Sequence, residues 1–217
     1  MIDLNKIKSF DALSRDEQVE ALTLIDKWKN LNARDKCKSD FLEFVKHQWD
    51  GFIMGRHHKV LAKKLNRIAQ GKCKRLMVML PPRHTKSEFA STYFPAWMMG
   101  LNPSLKIIQA THTAELAVRF GRRVRNIIDS EEYQTIFPDI NLSGDNKSAG
   151  RWTTDDGGEA FYSGVGGAIT GRGADLLIID DPHSEQDAMS PTAMDAAWEW
   201  YTSGPRQRLQ PGGTIVL

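Results

Sequence analysis

A lysine followed by a hydroxyl residue, where an apolar run meets a helix, can hold a phosphate. Residues 80–87 of this chain, Leu-Pro-Pro-Arg-His-Thr-Lys-Ser, end in such a pair. Backbone amides at a helix start and the helix dipole both favour an anion there. In the common form of the loop, G-x-x-x-x-G-K-[ST], the lysine neutralises the β/γ-phosphates and the hydroxyl ligates magnesium. Lys86 and Ser87 fill those two places, while Leu80 and Thr85 stand where the glycines belong. Taken alone, the segment also reads as a plain strand–turn–helix. A second run supplies carboxylates: Leu176-Leu-Ile-Ile-Asp180-Asp181-Pro182 puts two acids at the end of an apolar strand. The first suits a magnesium ion and the second suits orienting an attacking water. Two acids before a proline are common in turns, but together with an upstream Lys-Ser loop they predict a nucleotide site.

The elements that must position these residues follow from periodicity. Residues 75–80 read as a buried strand ended by Pro81-Pro82, since proline cannot donate to a ladder. A helix is expected over 86–99, a strand over 105–110, and a helix capped by Thr113 with Ala117, Val118, Gly121, Val124 and Ile128 on one side. Arg119, Arg122, Arg123 and Arg125 crowd the rest of that helix. Residues 138–158 are polar and glycine-rich, with a hairpin turn at 155–158 between strands at 151–154 and 159–165. A flexible glycine-rich stretch then leads to a strand over 174–179, a helix over 192–201 and a strand at 214–217. Alternating strands and helices imply parallel strands with helical crossovers, an α/β fold.

Upstream, Ser14-Arg-Asp-Glu17 has the form of a capping box opening a helix on which Val19, Leu22, Ile25, Trp28 and Leu31 make a stripe. Ser39 is expected to cap a second helix, with Phe41, Phe44, Val45 and Trp49 on one face. A third helix over 57–70 turns Val60, Leu61, Leu65, Ile68 and Ala69 inward and stops at Gly71. The expected division is a helical segment over 1–55 and a core over 56–217.

The 217 residues, 41% hydrophobic and 26% charged, exclude disordered and fibrous classes. No apolar run approaches a membrane span, and two cysteines without metal spacing suit a reducing compartment. The net charge of +2 hides a split. Residues 1–125 carry 24 Lys/Arg against 12 Asp/Glu, and residues 126–199 carry 3 against 15. Arg56 to Arg75 holds eight basic residues and no acid. Such asymmetry predicts either a polyanion handled by the basic part or simply a solvated basic face.

Residues 81–87 and the run Gly171-Arg-Gly-Ala-Asp-Leu-Leu-Ile-Ile-Asp-Asp-Pro182 resemble the variant Walker A motif and Walker B region of the large terminase subunits of tailed bacteriophages. The likeness extends over about residues 40–217. It implies a P-loop NTPase fold of the RecA/ASCE-like kind, with a mostly parallel central sheet. The implied function is the ATPase motor of viral genome packaging, which hydrolyses ATP with Mg2+ to drive double-stranded DNA into a procapsid. Implied partners are a portal protein, a small terminase subunit and a homo-oligomeric ring, in the host bacterial cytoplasm. The family continues into a coupling motif and a nuclease, so no nuclease activity is expected of these 217 residues.

By that resemblance Pro82, Arg83, His84, Thr85, Lys86 and Ser87 cradle the phosphates, Arg83 senses the γ-phosphate, and Ser87 with Asp180 holds magnesium. His57 and His58 take the place of an adenine-contacting pair. The family's catalytic carboxylate is usually a Glu after the Walker B aspartate. Asp181 stands there, one methylene shorter, so Glu185 is the alternative base. Arg172 is a candidate trans-acting arginine finger, with Arg122, Arg123 and Arg125 as rivals. A helicase-like P-loop ATPase and a nucleotide-binding module without turnover remain as other readings.

Overall fold

The computed structural model describes residues 13–169 and 171–217; residues 1–12 of the expected N-terminal segment lie outside the described residues. Helix α1 (Arg15–Ser39) opens on the anticipated capping box, with the Ser14 amide donating to the Glu17 carboxylate at 2.9 Å. Its apolar stripe faces solvent: Val19, Leu22, Ile25, Trp28 and Leu31 are all exposed. A spacing of three falls about 60° short of a full turn at each step, so the stripe winds around the helix instead of marking one face.

Helix α2 (Phe41–Gln48) is capped by Asp40, not by Ser39. Asp40 has the extended backbone a cap needs, and its carboxylate accepts from the Leu42 and Glu43 amides at 2.7 and 3.2 Å. Ser39 instead ends α1, its hydroxyl donating to the Lys36 carbonyl. Helix α3 (Arg56–Ala69) buries His58, Leu61, Ala62, Leu65 and Ile68. Val60 is exposed, against expectation, because it lies about 100° from its neighbour Leu61 around the helix. Asn66 of α3 donates to the Asp40 carboxylate at 2.9 Å and accepts from the Phe41 amide at 2.8 Å, tying α3 to the start of α2.

Strand β1 (Arg75–Leu76) is shorter than its apolar run predicted. It lies at the sheet edge, and the segment beyond it runs beside the chain's last residues, with the Val78 amide donating to the Leu217 carbonyl at 2.7 Å. After the loop the chain is helical through a π-helical stretch (Glu88–Tyr93) and α4 (Phe94–Leu101). Pro95 explains the irregular turn: it has no N–H to offer the Ser91 carbonyl one turn back, and Gln109 Nε2 donates to that carbonyl at 3.1 Å instead.

Strand β2 (Lys106–Thr111) and helix α5 (Ala114–Ile128, capped by the Thr113 hydroxyl) match expectation. Helix α6 (Glu131–Ile136) forms where no element is expected, and strand β3 (Leu142–Ser148) forms within the polar, glycine-rich stretch. The hairpin of β4 (Arg151–Thr154) and β5 (Glu159–Gly164) is present, its turn using Gly157 at φ 82°. Strand β6 (Ala174–Asp180), helix α7 (Pro191–Ser203, capped by Ser190) and strand β7 (Leu209–Val216) follow.

Among the described residues these strands form one seven-stranded sheet in the order β1-β7-β6-β2-β5-β4-β3. The five from β1 to β5 in that order run parallel, β4 is antiparallel to β5 and β3 is antiparallel to β4, so the sheet is mixed. Both faces are covered, as the unbroken apolar runs of β2 and β6 require. Ile107, Leu176 and Ile178 face a large core containing Phe41, Phe44, Phe89, Phe94 and Trp97. Ile108, Leu177 and Ile179 face a smaller one packed against Trp200 and Tyr201 of α7. No helix of the described residues is long and apolar enough to cross a membrane.

Candidate functional site: a lysine-bearing loop facing two carboxylates

Because β1, β7 and β6 are parallel, the segment leaving β1 and the acids ending β6 emerge at one edge of the sheet. With β7 between them, they start two strand spacings apart, about 10 Å. Lys86 bridges that gap. Its Nζ lies 3.3 Å from Asp180 Oδ1 and donates a hydrogen bond to Asp181 Oδ1. Burial opposes the charge on Lys86, but the hydrogen bond it donates to Asp181 and the charges of both acids outweigh it, raising its pKa above the ordinary lysine value. The ammonium therefore stays charged at neutral pH, as a phosphate contact requires.

The two acids have different surroundings. Asp180 is 7% exposed, and its second oxygen accepts from the Ser91 hydroxyl at 2.8 Å. Asp181 is exposed and leaves the strand with a left-handed backbone, φ 46°. An open cleft of about 630 Å³ lies over this arrangement, lined by residues 80–88 and Asp181.

Within the loop, Arg83 and Thr85 both have left-handed backbones, φ 64° and 59°. This conformation disfavours a residue with a Cβ by about 1–2 kcal/mol. Thr85 occupies a position where the motif calls for glycine, and its backbone takes the conformation that glycine would have offered. Leu80, at the other glycine position, packs against the large core and anchors the loop's first end. His84 Nδ1 lies 3.0 Å from the Pro82 carbonyl, closing the turn between them.

The loop residues Pro82, Arg83, His84, Thr85, Lys86 and Ser87 are thus gathered with Asp181 around one cleft, and Asp180 is joined to them through Lys86. His58 stands behind the loop, 4% exposed, with Nδ1 accepting from the Gly55 amide and Nε2 bonded to the Thr85 hydroxyl. The His57 ring lies 3.9 Å from that of His58 and 5.6 Å from that of His84.

Of the predicted residues, His57, His58, Glu185 and Arg172 do not line the cleft. Glu185 is exposed in a turn closed by Ser184 and Asp187 and does not line the cleft. Arg172 lies two residues before β6, at the opposite end of the strands from Asp180, with about 20 Å of β6 between Ala174 and Asp180. There it pairs with Glu159 and lies 4.2 Å over the Phe161 ring. Of its rivals, Arg123 is held by Glu88, with Nη1 donating to Oε1 at 2.7 Å.

Three residues of this region escape sequence reasoning. Glu88 lines the cleft, Ser91 holds Asp180, and Gln109 holds the Ser91 carbonyl. The legible signal was Gln109, a polar residue inside the apolar run of β2 and 0% exposed, which had to be satisfied by a neighbour. No family model matches this sequence, and no curated protein sequence matches it.

Proposed function

We propose that this chain is a P-loop ATPase of the RecA/ASCE-like kind, serving as the motor domain of a terminase that translocates double-stranded DNA. The observation that carries the reading is Lys86 held between Asp180 and Asp181 beside a loop whose backbone is left-handed at the glycine position. The ammonium marks where a cation sits between two carboxylates, so the site suits a metal that arrives with phosphates. Magnesium would be held there by Asp180 and the Ser87 hydroxyl, and it would neutralise charge building on the phosphate oxygens.

In this reading Lys86 leaves its carboxylates for the β/γ-phosphates, which frees Asp181 to act on water. Asp181 accepts the water proton as the water oxygen bonds to the γ-phosphorus; the bond from that phosphorus to the bridging oxygen breaks, giving ADP and phosphate. Arg83, at the loop's tip, supplies a second cation to the γ-phosphate. Arg172 lies too far along β6 to reach this chain's own site, so an arginine-finger role requires a neighbouring subunit in a ring. The exposed Lys59, Lys63, Lys64 and Arg67 of α3 suit backbone contact with duplex DNA. Portal and small-subunit partners, and action in the host bacterial cytoplasm, belong to the same proposal.

Swapping the two candidate bases tests the chemistry. Asp181→Asn should keep ATP binding within a few-fold and lower phosphate release by about 100-fold or more, while Glu185→Gln should leave both near wild type. Turnover lost in Glu185→Gln but kept in Asp181→Asn would reverse the assignment.

A further inference from the structure

We propose that His58 is a positioning residue that holds the phosphate loop in its binding shape and so allows threonine to stand at the glycine position. The inference rests on the nucleotide reading of the site and deepens it. Thr85 is β-branched, and a left-handed backbone is a marked outlier for such a residue unless its surroundings impose it. The surroundings here are specific. The Thr85 hydroxyl donates to the His84 carbonyl at 2.6 Å and has a lone pair facing His58 Nε2 at 2.7 Å.

The direction of the second bond follows from the first nitrogen. The Gly55 amide donates to His58 Nδ1 at 2.8 Å, so Nδ1 carries the lone pair and the ring proton sits on Nε2, pointed at the threonine. The ring is also fixed in place. It stacks on Phe89 at 4.8 Å with an interplanar angle of 16°, and it packs against Phe52 at 4.9 Å. Phe89 lies on the helical segment that follows the loop, and the Phe89 amide donates to the Thr85 carbonyl at 3.0 Å. The imidazole therefore grips Thr85 through its hydroxyl, against a ring whose own backbone grips Thr85 through its carbonyl.

Both His58 nitrogens serve this clamp, so its role differs from contact with an adenine ring. It also makes a specific demand on position 85: glycine there adopts a positive φ without help, and the clamp should then be dispensable.

A double-mutant cycle tests this, read by binding of a fluorescent ATP analogue with magnesium. His58→Phe keeps an aromatic ring between Phe52 and Phe89 and removes both hydrogen bonds. In the wild-type background it should weaken binding about tenfold, and in the Thr85→Gly background less than about twofold. Equal losses in both backgrounds, or no loss in the first, would overturn the positioning role. A second measurement stands without nucleotide: in 15N spectra, His58 should show a protonated Nε2 and an unprotonated Nδ1, and the Thr85 carbon shifts should report positive φ that His58→Phe abolishes. If those signatures hold while wild type binds no analogue, the nucleotide reading fails and the clamp stands. If positive φ at Thr85 persists in His58→Phe, the clamp fails whatever the protein binds.

Discussion

Asp181 is set apart from its neighbour Asp180 by its backbone. Its left-handed φ turns the residue out of β6 toward Lys86, whereas Asp180 stays in line with the strand and is held by Ser91. His58 is the other residue whose protonation state matters. Burial, then the neighbouring His57, lowers its pKa below the ordinary 6.5. A proton on Nδ1 would face the Gly55 amide, donor against donor. The sign follows: a base lowered in the folded state binds fewer protons there than in the unfolded chain. The stability it contributes is complete above pH 6.5 and is lost as pH falls from 6.5 through the lowered folded value. Thermal unfolding between pH 7.5 and 5 should therefore show a steeper loss of Tm in wild type than in His58→Phe; parallel curves would contradict the neutral clamp.

At the scale of elements, periodicity and capping signals foretold the helices and strands that carry the site, and they failed where short elements or edge positions decide the outcome. The six residues of α6 are too few to show a period, and β3 has no apolar alternation to announce it. The run at 75–80 looked like an interior strand, but its edge position leaves it a two-residue ladder. The Lys-Ser pair and the two acids were legible because their types and places are local. Ser91, Glu88 and the His58–Thr85 bond were not, since each depends on a π-helical turn or a packing of α3 that no single window encodes. The same holds for the Asp40–Asn66 link between α2 and α3. Asp40→Ala removes the α2 cap and leaves Asn66 without its acceptor, and should destabilise by about 1–2 kcal/mol. Asn66→Ala should lose part of the same energy, so chemical denaturation of the double variant should show less than the sum. Full additivity would mean the two residues act independently.

Across the whole molecule, the near-neutral sum of charge joins a basic first part to an acidic later part, and the fold brings one lysine of the first against two acids of the second. Lys86 comes from the basic part, and Asp180 and Asp181 come from the acidic part. Lys59, Lys63, Lys64 and Arg67 of α3 are exposed, and Arg123 fastens α5 to the π-helical stretch through Glu88. An ATP-hydrolysing site built on Lys86 and the two acids is tested by steady-state phosphate release from ATP with magnesium and duplex DNA, comparing wild type with Lys86→Ala. Wild type should release phosphate in a magnesium-dependent manner, and the variant should lose about 100-fold or more of that rate; equal rates in the two proteins would rule the site out.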